Sequence, residues 1–276
     1  MKLSRLIRGG LLAFAVLAGS YIPAYGLEVS LYPTLYPTSI ELTALPGERV
    51  RDVVTLANDS SETLSLTIGL ADWSIDAEGR LALLPPGESE HTITPSVRFS
   101  PAFVTLAPGE TRDILVDIAM PSDFDAVSAR RFALLASTIS PDTRPGNEGL
   151  LRKIEVSSLV YLTGARASSA PAILDAGLNA HALSLSLENA GGAHARLQGT
   201  VRIDGRGETI TLPIASLVIL PGSTRTFQIP LDRQVPDNPM VTVDLIDTHA
   251  PQSPQGQWPL PRFTAPLEAQ PAAALR

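Results

Sequence analysis

Residues 106–121 read LAPGETRDILVDIAMP. Pro108 presets φ at the first central position of a turn, and Gly109 tolerates φ above zero, so the opening is a turn that launches a strand. In that strand Ile114, Val116 and Ile118 alternate with Leu115, Asp117 and Ala119, and Pro121 ends it. Alternation with period two is the signature of a half-buried sheet. The unit recurs. Pro46-Gly47 precede Val50, Val53 and Leu56, and Pro221-Gly222 precede Phe227, Ile229 and Leu231. Each copy carries an arginine a few residues past the turn, at Arg49, Arg112 and Arg225. Two copies before residue 125 and one after 215 predict two antiparallel β domains.

Working outward, Val50 to Ala57 and Leu64 to Leu70 alternate on either side of the turn cluster Asn58-Asp59-Ser60-Ser61. Before them, Leu31-Tyr32-Pro33-Thr34 repeats as Leu35-Tyr36-Pro37-Thr38, and prolines so spaced suit an edge strand or an extended lead-in. Trp73 follows the second strand and is expected to plug the sandwich core. Residues 85–96 form a polar, Pro-rich connection, 130–139 another apolar run, 140–149 a polar loop, and 150–163 a last long strand. About seven short strands with turns at such intervals predict an immunoglobulin-type sandwich. Residues 164–171, GARASSAP, mark the domain boundary. Six further strand candidates between Ile173 and Ile246 repeat the theme, with Asn189-Ala190-Gly191-Gly192 in the place of the Asn58 turn. The last 26 residues hold six prolines and are expected to form a disordered tail. The expected division is 1–26, 27–165, 171–250 and 251–276.

Residues 1–26 have the form of a secretory signal peptide: Lys2, Arg5 and Arg8, then the apolar run Leu11 to Ala18, then Ala24-Tyr25-Gly26 as a cleavage site. That run is too short to cross a bilayer. Its removal leaves 18 basic against 28 acidic residues, a net charge of −10, which argues against a nucleic-acid partner. The absence of cysteine fits an exported chain that relies on core packing, as in a bacterial periplasm.

Catalytic chemistry finds little purchase. There is no Cys and no Gly-x-Ser-x-Gly elbow. His91, His181, His194 and His249 lack metal-ligand spacing, and no Gly-rich phosphate loop occurs. Asp72 and Asp76 flank Trp73 as a formal carboxylate pair, but read more simply as solvated acids at a strand end. No enzyme activity, cofactor, metal or small-molecule substrate is expected.

A sandwich does offer edge strands, whose unpaired N–H and C=O groups can accept a partner strand. In LRKIEVSSLVYLT (151–163) one face is Arg152, Ile154, Val156, Ser158, Val160 and Leu162; the other is Lys153, Glu155, Ser157, Leu159 and Tyr161. Two arrangements are open. The first face fills the domain's own core, or a bulge near Ser157-Ser158 turns Leu159 and Tyr161 inward and presents Ile154 and Val156 outward.

The leader, the strand ending Leu56-Ala57-Asn58-Asp59, Asp72-Trp73, Phe99-Ser100-Pro101 and Leu106-Ala107-Pro108-Gly109-Glu110 together resemble the periplasmic pilus-assembly chaperones, the PapD-like family. The likeness is best over 35–163 and looser over 171–248. It implies an all-β chain of two immunoglobulin-like β-sandwich domains set at an angle. It also implies a periplasmic protein that caps pilus or fimbria subunits by β-strand addition for assembly at the cell surface. The implied partners are an exported pilin-like subunit and, beyond it, an outer-membrane usher. Carried over by position, Ile154 and Val156, with Leu151, would line the subunit-binding strand. Family members usually anchor the subunit's C-terminal carboxylate with an Arg on the first strand and a Lys on the last. Thr38-Ser39-Ile40-Glu41 has no Arg and Ser158-Leu159-Val160-Tyr161 no Lys, leaving Arg130, Arg131, Arg152 and Lys153 as the nearby cations. The chain reads as a divergent member. The alternative is a non-catalytic structural or adhesive immunoglobulin-like module of the cell envelope that holds no client.

Overall fold

The three Pro-Gly turns share one geometry: Gly47, Gly109 and Gly222 have φ of 73°, 74° and 66°, a region open to glycine at little cost. The computed structural model describes residues 33–141, 149–179, 181–205, 207–236, 239–248, 262–268 and 270–271. The leader, most of the 140–149 loop and His249 lie outside the described residues.

The first ten strands are β1 (Pro33–Tyr36), β2 (Ser39–Ala44), β3 (Arg49–Asn58), β4 (Leu64–Ile75), β5 (Leu81–Leu84), β6 (Val97–Ser100), β7 (Phe103–Leu106), β8 (Thr111–Ala119), β9 (Ala129–Pro141) and β10 (Leu151–Gly164). They form two sheets, ordered β1-β3-β8-β6 and β2-β10-β9-β4-β5, with β7 also paired to β4. Between the sheets, Val54, Leu56, Ile114, Val116 and Ile118 meet Leu66, Ile68, Phe132, Leu134, Val160 and Leu162. Each such side chain contributes about 1.5–3 kcal/mol when fully buried.

The second half builds β11 (Pro171–Leu178), β12 (Ala182–Asn189), β13 (Ala195–Gly205), β14 (Glu208–Ile219), β15 (Ser223–Pro230), β16 (Met240–Asp247), β17 (Arg262–Glu268) and β18 (Gln270–Pro271). Their sheets are ordered β15-β12-β11-β18 and β14-β13-β16-β17. The chain is thus two immunoglobulin-like β-sandwiches. The expected disordered tail needs correcting over 262–268 and 270–271. β17 pairs antiparallel with β16 and β18 parallel with β11. Both are outermost strands, the positions in a sheet that tolerate proline.

Trp73 is fully buried, but not in the first core. It packs on the outer face of the β2-β10-β9-β4-β5 sheet with Ala71, Ala133 and Tyr161, covered by Leu220 of the second domain. Its ring meets Tyr161 edge-on at 4.9 Å. The residue that was expected to plug one sandwich seals the junction of two. Its neighbour Asp72 also departs from expectation. It is buried, and its carboxylate accepts the N–H groups of Gly87 and Ser89 and the Thr92 hydroxyl, fastening the 85–92 connection. Asp76 sits apart on an exposed turn, bound to Arg80.

Candidate functional site

β10 is the last strand of the first domain, and its two sides differ. On one side it pairs with β9 without interruption, from Leu151↔Pro141 to Thr163↔Ala129. The bulge that the sequence allowed near Ser157-Ser158 is therefore absent. Ile154 is not presented outward: it is 7% exposed and shares the inward row with half-buried Val156 and buried Ser158, Val160 and Leu162. The physical reason lies on the opposite face. Tyr161 lies against His194, ring centres 4.4 Å apart and planes tilted by 38°, and is packed with Leu159, Leu220 and Val218 at the domain junction. Both faces of the late half of β10 are covered, so both are apolar and no bulge is required. Burial also pushes the Tyr161 hydroxyl pKa up.

On its other side β10 meets β2 in parallel only from Leu159↔Ser39 onward. The Leu159 N–H donates to the Thr38 carbonyl at 2.9 Å, and the Ser158 hydroxyl donates to the Pro37 carbonyl. N–H direction alternates along a strand, so Ser157, Glu155 and Lys153 aim their N–H and C=O groups the same way. Among the described residues no strand pairs with them there. β9 in turn leaves β4 beyond Ser137↔Thr67. The hairpin tip is a two-stranded ribbon, a kind of structure that is marginal without further support.

The seven residues singled out from sequence do not form one cluster. Leu151 is 72% exposed at the hairpin tip, on the same face as Ile139, 67% exposed. Ile139 was missed, although it continues the alternation of 130–139 past the point where β4 covers it. Lys153 pairs with Glu155 at 2.6 Å on that outer face. Arg152 belongs to the inward row and is half-buried. Arg131 faces Tyr161 across the ladder whereas Arg152 faces Ser140, nine rungs away, about 30 Å at ~3.4 Å per residue. Arg131 is buried. Its Nε donates to the Trp73 carbonyl at 2.8 Å, its guanidinium stands 5.7 Å from the Trp73 ring centre, and desolvation lowers its pKa. Arg130 lies over Phe124 and donates to the Ala129 carbonyl. Arg131 thus braces Trp73 on the face that meets the second domain, Arg130 packs on Phe124 of the first domain's own core, and neither lies at the open edge.

Where the resemblance would place a cation on the first strand, β2 carries Glu41. It accepts Arg196 Nε at 2.9 Å and lies 3.3 Å from Nε2 of buried His194, both from the second domain. Sequence reading missed this corner because its partners are about 155 residues apart in the chain. Among the described residues, no group of three His, Cys, Asp or Glu side chains could hold a metal ion.

No family profile and no curated protein matches the chain. Solved structures do. The class 5 fimbriae chaperone CfaA is similar at 13% identity, covering 87% of this chain and 100% of its own, with a TM-score of 0.45. The CsuC–CsuE chaperone–tip adhesion subunit complex of Acinetobacter baumannii matches at 12% identity over 84% and 97%, TM-score 0.46. The Salmonella enterica SafB chaperone–SafA pilin complex matches at 12% identity over 86% and 97%, TM-score 0.46. No residue role is carried over from them.

Proposed function

We propose that this chain is a non-catalytic periplasmic chaperone that binds a pilin-like exported subunit by β-strand addition. The observation that carries the reading is the open edge of β10 from Leu151 to Ser158. It lies in line with β2, so an added strand would extend the same sheet. Main-chain bonds would supply affinity, and half-buried Arg152 and Val156 are the side chains of that row left within a client's reach, while Ile154 stays buried beneath them. Leu151 and Ile139 add exposed apolar surface at the tip.

The test uses proline. Ser157→Pro and Glu155→Pro each remove an N–H aimed at the open edge and leave the β9 ladder intact, a placement that edge strands tolerate. The full chain is expressed with its leader in a bacterial periplasm beside the exported proteins encoded next to it, and native complexes are weighed. A one-to-one complex is expected, lost in either proline variant while the thermal midpoint holds. A complex that survives both variants would mean that binding lies elsewhere. One observation favours the second reading, an envelope module without a client: the corner at Glu41 is already filled by Arg196 and His194. On that reading the folded protein captures nothing.

A further inference from the structure

The outer face of the β1-β3-β8-β6 sheet lies on the opposite side of the sandwich from the domain junction. Its rows follow from the register. Arg51, Asp117 and Arg98 lie side by side, with Arg49 next along β3; the neighbouring row is Val53, Leu115 and Ser100; Tyr36 stands beyond, beside Thr55. Asp117 takes Arg49 in a two-point contact, Nε at 2.6 Å and Nη2 at 2.5 Å, and Arg51 through Nε at 3.3 Å. Arg98 is held by the Pro95 and Val97 carbonyls. The three guanidiniums are therefore oriented in advance, and the side chains of Arg49 and Arg51 stay about three-fifths exposed.

One carboxylate against three guanidiniums leaves this face positive on a chain whose formal charge is −7. The next acid on the face is Asp113, four residues along β8 and bound by the Thr55 hydroxyl. It lies about 14 Å from Asp117 at ~3.4 Å per residue, beyond the ~8 Å screening length of physiological salt. Asp52 belongs by strand parity to the other face, and Glu48 accepts the Leu45 N–H of its own turn. Beside the charge lies an apolar row, Val53 and Leu115, each 44% exposed, with Tyr36 more so. Arginine and tyrosine flanking exposed aliphatic surface are the residue types that carry protein interfaces.

We propose that this face docks an acidic, apolar-tipped segment of a partner protein, with carboxylates on Arg49, Arg51 and Arg98 and an apolar side chain on Val53, Leu115 and Tyr36. A peptide can place its carboxylates around the fixed Asp117, whereas a uniformly anionic lipid surface would be repelled by it. The site is on a different sheet from the β10 edge and does not depend on that edge binding a client.

The test is amide NMR on the full mature chain at low ionic strength. The probe is a synthetic decapeptide alternating Asp and Val; a Lys–Val decapeptide and phosphatidylglycerol vesicles run in parallel. Shifts are expected at 49–55, 98–100 and 113–119. Arg51→Glu/Arg98→Glu should weaken the peptide roughly tenfold or more, the scale of an interface hot spot. Ser100→Glu adds a carboxylate beside the same row without removing a contact, so it tests the site even if the double variant folds poorly. Shifts confined to other surfaces, equal binding of the Lys–Val peptide, vesicle binding in place of peptide binding, self-association through this face, or no binding at millimolar peptide would each overturn the proposal.

Discussion

Asn58 and Asn189 are the same device built twice, once in each domain. Both are buried. The Asn58 amide nitrogen donates to the Glu62 and Leu106 carbonyls; that of Asn189 donates to the Ala193 and Ile219 carbonyls. Each residue's own carbonyl receives the glycine N–H of a Pro-Gly turn, Gly109 in one and Gly222 in the other. Each therefore ties the end of one strand to the turn that launches its partner, β3 to β8 and β12 to β15. The difference lies at the amide oxygen. Asn58 Oδ1 accepts the N–H and hydroxyl of Ser60, within its own turn. Asn189 Oδ1 accepts the N–H of Gly191 and that of Ala170, in the segment between the domains. One copy closes a free turn, and the other anchors the interdomain segment.

The largest expected effect breaks both copies. Asn58→Ala removes the side-chain donor to the buried Leu106 carbonyl and the acceptor of the Ser60 N–H, while the Ser60 hydroxyl can still reach the Glu62 carbonyl; Asn189→Ala removes the side-chain donor to the buried Ala193 and Ile219 carbonyls and the acceptor of the Gly191 and Ala170 N–H groups. Each orphaned buried group costs about 1–3 kcal/mol, and water can re-enter part of the site. Either variant should lose roughly 2–4 kcal/mol. Differential scanning calorimetry checks this. If the device is local to each domain, Asn58→Ala shifts the transition of the first sandwich. Asn189→Ala shifts that of the second and also loosens the junction. Equal shifts of a single transition from both variants would show that the two domains melt as one unit.

A smaller effect sharpens the contrast. The turn after Asn189 carries Gly191-Gly192 where the first domain has Ser60-Ser61. A Cβ at Gly192 would collide with the Val127 carbonyl oxygen in the first domain, and one at Gly191 with the Ser168 carbonyl. The glycines let the two backbones touch, and Gly192 N–H donates to the Ser168 carbonyl at 2.9 Å. Gly192→Ala must push the domains apart locally, an overpacking cost of about 1–3 kcal/mol. In a Trp258→Phe background, the fluorescence of Trp73 should shift to the red as its cover loosens. An unchanged spectrum would mean that the junction tolerates the methyl group.

Strand periods carried most of the fold in the sequence, because alternation is local: the core rows of β8 and β10 fall on the residues whose spacing marked them, whereas on β3 Val53, marked with Val50 and Leu56, is exposed on the outer face and Val54 fills the core in its place. What was illegible depends on which second surface covers a face. Trp73, Tyr161 and Leu159 look like core residues in any one-domain reading, yet they face the other sandwich. The late half of β10 has two apolar faces for that reason, and with one domain in view a bulge was the arrangement that would bring Leu159 and Tyr161 into the core. The strands at 262–268 and 270–271 were hidden by prolines, which a β-edge accommodates. At the candidate site, the alternating row of 151–163 was legible. The scatter of its cations was not, since nine rungs of ladder separate residues that look interchangeable in a list of nearby charges.

The smallest expected effect concerns the corner where β2, β10 and the second domain meet. Glu41 is about one-third exposed and Arg196 slightly less. A partly exposed ion pair of this kind contributes about 0–1 kcal/mol, and salt weakens it further. Glu41→Gln keeps the shape and removes the charge, so it should lower the thermal midpoint by only a degree or two in dilute buffer and by less in 0.5 M salt. Its value lies in the comparison with Gly192→Ala. Backbone contact and charge both hold the junction, and packing at Gly192 and Trp73 should outweigh the pair at Glu41. If Glu41→Gln instead loosens the junction as much as Gly192→Ala and the loss disappears in high salt, electrostatics sets the domain arrangement. Glu41 would then be the residue through which ionic conditions reach the open edge of β10, since β2 ends the stretch to which a partner strand would add.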